Sequence, residues 1–227
     1  GLVVFDLDGV LIDSKDVHFF ALNRALETVR PGSSISRTQH LAVFDGMDTQ
    51  AKLEVLVESG QIIRDDVQSV WALKQEFTAV EFEALHEDPE LIAIFRDLKA
   101  DGFHIAVASN SIRQTVTTVV TSLGILRYVD LFLGNEDVKS RKPHPEIYWA
   151  AMSYFGVLPD DTLVVEDSPI GRESARRSGA RVLEVFNRAE LSLELVKRVL
   201  EEQRVEIRIP WSDSELNVVI PMAGAGQ

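Results

Sequence analysis

The sequence predicts an α/β protein, a three-layer doubly wound parallel sheet with an all-helical insertion after its first strand. Three observations support this fold class. Short apolar runs typical of buried strands alternate with helical segments along most of the chain. Strands that are separated by helices pair in parallel through right-handed crossovers. The long interruption at residues 14–86 has helical periodicity and no convincing strand pattern.

Composition is that of an ordinary globular protein. The 227 residues are 45% hydrophobic and 26% charged, which leaves room for one large or two small domains with a substantial core. The net charge of −13 argues against nucleic acid or an anionic membrane as a partner, because both favour a basic surface. No apolar run approaches the roughly 18 residues of a membrane span. The lack of cysteine excludes disulfides and fits a cytoplasmic protein.

The predicted core comprises residues 1–13 and 87–202. Its strands are expected at residues 2–5, 103–108, 131–133, 162–165 and 181–186. The helix after the insertion should begin with Asp88 as its N-cap and Pro89 at the first helical position. The final helix is expected from Ala189 to Glu202.

The predicted insertion, residues 14–86, contains three helices. The first has one apolar face, formed by Phe19, Leu22, Leu26 and Val29. Asp48 is expected to cap the second helix. The third covers residues 66–85.

Polar side chains converge at one edge of the predicted sheet, because the carboxyl ends of parallel strands lie together. They are Asp6, Asp8, Ser109, Asn110, Lys142, Glu166 and Asp167. Each motif alone also has a structural interpretation, as a turn, a helix N-cap or a solvated loop charge. Their joint occurrence at one edge favours a functional site.

The chemistry of these residue types indicates phosphoryl transfer. Three or four carboxylates cannot share a pocket without a cation, and oxygen ligands without His or Cys point to Mg²⁺. Ser109 and Lys142 suit the oxygens of a phosphate. Asp6 would then be the in-line nucleophile that forms an aspartyl phosphate. Asp8 would protonate the leaving oxygen and later activate water.

Four motifs resemble those of the haloacid dehalogenase superfamily, in the same order and over residues 1 to about 200. They are Phe-Asp-Leu-Asp-Gly-Val, Ala-Ser-Asn, Lys-Pro-His-Pro-Glu-Ile-Tyr and Val-Val-Glu-Asp-Ser-Pro-Ile-Gly. Within that superfamily, the branch of phosphoglycolate phosphatase and β-phosphoglucomutase is the most similar. The resemblance implies a magnesium-dependent phosphatase with a Rossmann-like core and a helical cap inserted after the first motif.

The resemblance also implies a role for each motif residue. Asp6 is the nucleophile and Asp8 the acid/base, with its backbone carbonyl also on magnesium. The phosphoryl group is held by Ser109, Asn110 and Lys142, and the metal by Asp6, Asp8, Glu166 and Asp167. The second aspartate argues against a dehalogenase, which does not need it.

The cap, residues 14–86, is expected to choose the leaving group. Its loop at residues 44–50 should face the site, with Gly46 and Thr49 as candidate substrate contacts. His18 is either a substrate or gating residue or a satisfied histidine on the helix surface. β-Phosphoglucomutases resembling this chain carry an arginine after the loop glycine to hold a second phosphate. None of the three residues after Gly46 is basic, which favours hydrolysis over a mutase reaction.

The predicted substrate is a small phosphorylated metabolite, a sugar or polyol phosphate. Two alternatives remain at this point, a sugar phosphomutase and a catalytically silent domain with a structural or regulatory role. Every chemical position is occupied by a competent residue, so nothing in the sequence favours a silent domain. Oligomeric state cannot be predicted from this sequence.

Residues 203–227 extend beyond the expected core. The segment at residues 216–227 is similar to the opening strand and glycine-rich loop of sugar nucleotidyltransferases. We therefore expect the chain to be the phosphatase part of a bifunctional enzyme, fused to a nucleotidyltransferase domain missing from this chain. A terminus of small residues without such a role is the alternative.

Overall fold

The computed structural model describes residues 1–202. Its sheet has five strands: β1 (Leu2–Phe5), β2 (His104–Ala108), β3 (Leu131–Leu133), β4 (Thr162–Glu166) and β5 (Arg181–Glu184). All of them pair in parallel, in the order β3–β2–β1–β4–β5. This confirms the predicted parallel sheet, with β1 at its centre.

Helices cover both faces of the sheet. The α-helices of the described residues are α1 (Lys15–Val29), α2 (Arg37–Gln39), α3 (Thr49–Glu58), α4 (Val67–Glu83), α5 (Pro89–Ala100), α6 (Arg113–Ser122), α7 (Glu146–Phe155), α8 (Pro169–Ser178) and α9 (Leu193–Glu201). A π-helical segment, His40–Phe44, follows α2. The first four helices belong to the insertion and the last five to the core.

Successive side chains of β1 pack alternately against the two layers of helices. Val3 and Phe5 pack in the apolar cluster formed with α5, α6 and α9. Leu2 and Val4 pack on the opposite face, against α7 and α8. Because all four side chains are fully buried, β1 is apolar throughout, as expected for a central parallel strand.

Two helix starts follow the predicted capping pattern. The Asp48 carboxylate accepts a hydrogen bond from the Ala51 backbone N–H at 3.1 Å. Asp88 accepts from the N–H groups of Glu90 and Leu91 at 2.9 and 3.0 Å, and Pro89 is the first residue of α5. These bonds satisfy backbone donors that the first turn of a helix leaves without partners.

The predicted end of the core was wrong in two details. Strand β5 stops at Glu184 instead of residue 186, and Phe186 is 68% exposed. The helix expected from residue 189 begins at Leu193, after the extended residue Leu191. Leu191 is buried in the core, and the Ser192 hydroxyl caps α9 by accepting from Leu195 N–H at 3.2 Å. The N-cap residue Ser192, which lies within the apolar pattern, thus sets the start of α9.

The insertion has an apolar cluster of its own, whose buried members all lie between Leu22 and Val70, and α1 packs along α4. This arrangement supports the division into a core and a cap, whose boundaries remain predictions. The segments predicted at residues 203–227 lie outside the described residues. Among residues 1–202, no helix is both long enough and apolar enough to cross a membrane.

Candidate active site

The carboxyl end of β1 brings two aspartates to the centre of the sheet edge. Asp6 continues the strand, since its N–H donates to Val165 O at 3.0 Å, and its side chain is buried. Asp8 lies two residues further, on the turn that follows. The neighbours of β1 are β2 and β4, so this edge is the point where the strand order reverses and where α/β sheets bind ligands.

Lys142 connects the acidic groups of this edge. Its ammonium group donates to Asp6 Oδ1 at 2.7 Å, to Glu166 Oε1 at 2.6 Å and to Ala108 O at 2.9 Å. Burial by itself lowers the pKa of Lys142, but Asp6 and Glu166 outweigh it and hold the pKa well above its usual value. Lys142 therefore stays charged. The Tyr148 hydroxyl also donates to Glu166 Oε1, at 2.7 Å.

Three buried carboxylates form a candidate metal site. Oxygens of Asp6, Glu166 and Asp167 lie within 4.8 Å of one another. Burial, and then repulsion from Glu166, raise the pKa of Asp6 well above its usual value and that of Asp167 to about 7. Among the described residues, 1–202, Asp167 Oδ1 is buried and has no hydrogen-bond partner. A compact set of oxygen donors with an unsatisfied oxygen fits Mg²⁺.

A glycine allows the close approach of Asp167. Gly9 has a positive φ of +87°, and a Cβ at this position would lie 2.0 Å from Asp167 Oδ2. Any larger residue would therefore push the carboxylate of Asp167 out of the candidate metal site.

Asp8 lies in a dense hydrogen-bond network. Its carboxylate accepts from the hydroxyls of Ser14 and Ser111, the latter at 3.0 Å, and lies 2.7 Å from His18 Nε2. Burial raises the pKa of Asp8, but His18 and the two hydroxyls together lower it below its usual range. Asp8 is therefore ionised in the absence of substrate.

His18 connects Asp8 to the cap. Burial, followed by the nearby Lys74, lowers the pKa of His18, so the ring is neutral near pH 7. Its Nδ1 lies 3.2 Å from Lys74 Nζ. The consistent arrangement is that Lys74 donates to Nδ1 while the Nε2–H group donates to Asp8. His18 is therefore not a surface residue, and its role in substrate binding or gating remains a prediction.

The loop after β2 supplies hydroxyls and a positioning amide. Ser109 Oγ accepts from Ser111 N–H at 2.9 Å and lies 3.5 Å from Asp8 Oδ2. The Asn110 side chain accepts from Lys142 N–H at 3.1 Å and donates to Gly46 O at 3.0 Å. Its side-chain amide thus positions the Lys142 loop and the cap loop, whereas its predicted phosphate contact stays a prediction.

The cap loop contacts core residues that line the site. Besides the bond from Asn110 to Gly46, Arg141 Nη1 of the core donates to Asp48 Oδ1 at 2.6 Å. Lys15 Nζ lies between Asp45 Oδ2 of this loop, at 3.4 Å, and Asp167 Oδ2 of the core, at 3.3 Å. Thr49 lines the same pocket. Core residues therefore form one wall of the pocket, which we call the floor, and cap residues form the opposite wall, which we call the roof.

Sequence reasoning missed two basic residues of this roof. Lys52 and Lys74 are buried and line the pocket, although the loop after Gly46 has no basic residue. A signal was present, because Lys74 lies four residues after Val70 and four before Thr78, both buried. A lysine in such a row lies on the buried face of its helix. The cap therefore carries positive charge at the pocket although its loop has no arginine after Gly46.

Comparison with known proteins agrees with this geometry. Residues 3–185 match the model of the haloacid dehalogenase-like hydrolase family. The chain is 28% identical to a phosphorylated carbohydrates phosphatase of Thermotoga maritima, over 78% of this chain and 81% of that protein. It is 26% identical to a phosphoglycolate phosphatase of Aquifex aeolicus, over 79% of this chain and 82% of that protein.

Solved structures share the fold. A β-phosphoglucomutase from Clostridium difficile superposes with a TM-score of 0.76 at 21% identity, covering 88% of this chain and 97% of that one. The chain belongs to the haloacid dehalogenase-like hydrolase family. The comparisons confirm the predicted family and support the prediction that the chain is a phosphatase.

Proposed function

We propose that the protein is a magnesium-dependent phosphatase that moves the phosphoryl group of a small phosphorylated metabolite first to Asp6 and then to water. The observation that carries the proposal is the contact of Lys142 with both Asp6 and Glu166, next to a carboxylate cluster that fits a metal ion. The names of the phosphatases similar to this chain support a sugar phosphate or phosphoglycolate as the class of substrate.

In the first step, a carboxylate oxygen of Asp6 attacks phosphorus while the bond from phosphorus to the leaving oxygen breaks. Lys142 holds the attacking carboxylate by its 2.7 Å hydrogen bond and places a positive charge beside the transferred group. The leaving oxygen takes its proton from Asp8. In the second step, water attacks phosphorus, Asp8 removes the proton of that water, and the carboxylate of Asp6 is restored with release of phosphate.

Asp8 needs a proton for the first step, although it is ionised in the free protein. A bound phosphate repels the carboxylate, which raises the pKa of Asp8. Ser14, Ser111 and His18 meanwhile fix its orientation. The substrate itself thus favours the protonation state that the reaction requires.

Asp6, Glu166 and Asp167 would hold Mg²⁺, together with the Asp8 carbonyl implied by the family. When bound, the ion neutralises the acidic cluster and stabilises negative charge on the transferred group. The ammonium group of Lys15 lies 3.3 Å from Asp167 Oδ2, where its positive charge compensates part of the negative charge of the acidic cluster.

A phosphomutase is the second candidate function. The buried Lys52 and Lys74 of the roof favour a phosphomutase, because they supply positive charge on the leaving-group side of the pocket. The cap loop does not favour it, since none of the three residues after Gly46 is basic. The two functions differ in their products, free phosphate or an isomeric sugar phosphate that requires bisphosphate priming. The cytoplasmic location and the fused nucleotidyltransferase domain remain predictions.

Hydrolysis of p-nitrophenyl phosphate tests the proposal. We expect magnesium-dependent release of phosphate that excess EDTA abolishes and added Mg²⁺ restores. A screen of phosphorylated sugars, polyols, acids and nucleotides then identifies the substrate. The proposal is wrong if the wild type releases phosphate no faster than the Asp6→Asn variant.

Asp167→Ala is expected to raise the Mg²⁺ concentration needed for half-maximal activity by about 10–100-fold, because the variant removes one of three carboxylates of the cluster. The measurement is phosphate release during a magnesium titration. Asp160→Ala, on the exposed 3₁₀ turn before β4, is the matched control. Full activity of Asp167→Ala at the wild-type magnesium requirement would contradict the assigned metal site.

The stability of the metal-free protein should fall as pH rises toward 7. The folded-state pKa of Asp167 is about 7 and its ordinary value is 3.8. A raised pKa gives a contribution that is complete below 3.8 and is lost as pH rises through about 7. Melting temperatures in EDTA between pH 4 and 8 should show a smaller decline for Asp167→Asn than for wild type. An identical decline in both proteins would exclude Asp167 as its source.

A further inference from the structure

The roof of the pocket holds two buried lysines that the proposed chemistry does not use. Lys52 on α3 is 6% exposed and Lys74 on α4 is 5% exposed, and both line the pocket that contains Asp6 and Asp8. Within residues 1–202, neither ammonium group has a carboxylate within 4.0 Å. A buried charge without a partner is unfavourable. These two lysines therefore have unused capacity to bind an anion.

The carboxylates around Lys52 are engaged elsewhere. Asp8, Asp45 and Asp48 are the acidic groups that act on Lys52. Asp8 is bound by His18 and two serine hydroxyls, Asp45 lies against Lys15, and Asp48 accepts from Arg141. In the described part of the chain, none of the three forms an ion pair with Lys52.

Lys74 is in a similar position. Its one hydrogen bond among the described residues goes to the neutral ring of His18, and the charges facing it are Lys52 and Asp8. Burial, and then repulsion from Lys52, lower the pKa of Lys74 to about 7, and burial also lowers that of Lys52. His40, which lines the same roof, has a buried Nδ1 without a hydrogen-bond partner. An anion between the two ammonium groups would give both of them a partner.

We propose that Lys52 and Lys74 bind a second anionic group of the substrate, a carboxylate or a second phosphate, while the phosphoryl group to be transferred lies at Asp6. The inference rests on the proposed phosphatase function and narrows its substrate class. Lys74 is separated from Asp8 by a single imidazole ring, so the second anion belongs to the leaving group. The substrate is then a phosphorylated acid or a bisphosphate, in place of a neutral sugar or polyol phosphate.

Matched substrate pairs test this proposal. Phosphoglycolate is compared with 2-hydroxyethyl phosphate, and fructose 1,6-bisphosphate with fructose 1-phosphate, so that the first pair tests a carboxylate and the second a phosphate. The values of kcat/KM are measured for wild type, for Lys52→Met and for Lys74→Met at saturating Mg²⁺. Lys197→Met, which removes a partly exposed lysine on α9 that pairs with Asp101, is the control and should match wild type.

We expect wild type to favour the anionic member of at least one pair by roughly 10–100-fold, the effect of a charged hydrogen bond. The pair in which this preference occurs identifies the second anion. Lys52→Met and Lys74→Met should lose most of it, through a larger fall in kcat/KM for the anionic member than for the neutral one. The preference of wild type should also weaken above pH 7, as Lys74 loses its proton.

Melting temperatures separate a binding role from a structural one. Methionine fills much of the same space without a charge, so Lys52→Met should melt at or above the wild-type temperature. Phosphoglycolate or fructose 1,6-bisphosphate should raise the melting temperature of wild type more than that of Lys52→Met. A lower melting temperature for the unliganded variant would assign Lys52 to the fold and overturn the proposal.

The outcomes also distinguish this inference from the proposed function. If wild type hydrolyses p-nitrophenyl phosphate but treats both members of each pair equally, the second anion site is wrong and the phosphatase function stands. If Lys52→Met or Lys74→Met keeps the full wild-type preference for the anionic substrate, the lysine replaced in that variant does not bind the second anion. If wild type hydrolyses no ester at all, the phosphatase function fails and the inference fails with it.

Discussion

The Asp6→Asn variant should lose at least about 10⁴-fold in the rate of phosphate release, the scale on which removal of a nucleophile acts in enzymes. The amide has the shape of the carboxylate but cannot form an acyl phosphate. Its side-chain oxygen can still accept the hydrogen bond from Lys142, which measures 2.7 Å in the wild type. The fold should therefore be retained. Single-turnover assays with p-nitrophenyl phosphate at saturating Mg²⁺ measure the loss.

Asp101→Asn is the matched control for this experiment, since Asp101 is a surface residue paired with Lys197. Its activity should equal that of wild type. In metal-free buffer, Asp6→Asn should also melt at a higher temperature than wild type near pH 7. Burial and Glu166 raise the pKa of Asp6, so the ionised side chain destabilises the folded state above its ordinary pKa of 3.8. Retention of more than a tenth of the activity would exclude Asp6 as the nucleophile.

The Lys142→Met variant should lose both turnover and stability. Within residues 1–202, Lys142 is the cation that forms ion pairs with Asp6 and Glu166, and its removal takes this counter-charge away. Breaking a buried ion pair from one side costs about 3–5 kcal/mol. The free energy of unfolding in urea, measured without metal, should fall by that amount. Mg²⁺ should recover part of the loss because it binds the same carboxylates.

Lys139→Met provides the comparison for Lys142→Met, because Lys139 is exposed and lies three residues earlier in the same loop. Its effect on the free energy of unfolding should stay within about 0.5 kcal/mol. If Lys142→Met unfolds at the wild-type urea concentration, the buried ion pairs contribute no net stability. If it also retains turnover, Lys142 has no part in the reaction.

The core and its acidic edge could be predicted from sequence because both follow from local patterns and one topological rule. Four-residue apolar runs identify buried strands, and right-handed crossovers bring the ends of parallel strands to one edge. Lys142 is 136 residues from Asp6 and 24 residues from Glu166 in sequence, yet the rule places them together. The contacts themselves, such as the link from Lys142 to both carboxylates, required the structure.

The basic roof was missed because the predicted apolar faces were assigned from hydrophobic residues alone. Lys74 occupies the buried row of α4, between Val70 and Thr78, but a lysine is usually placed on the solvent side by default. Its burial depends on packing of α4 against α1 and on the closure of the cap over the core. Lys52 likewise lies on the buried side of α3, near Leu53 and Leu56. Tertiary contacts determine whether a lysine at such a position is buried or exposed.

The end of the core shows a different limit. The apolar periodicity of residues 189–202 continues through Leu191, so it gave no reason to begin the helix later. Ser192 competes as an N-cap, and its side-chain bond to Leu195 N–H selects the later start. Hydrophobic periodicity locates a helix better than it locates the first residue of that helix.

Each wall of the pocket carries charges of both signs, but carboxylates predominate in the floor and lysines in the roof. The ion pairs Lys15–Asp167 and Arg141–Asp48 join the cap to the core, so electrostatic attraction contributes to holding the two walls together. Mobile ions compete with this attraction, since at 0.15 M salt charges are screened over about 8 Å. The attraction between the two walls should therefore weaken as ionic strength increases.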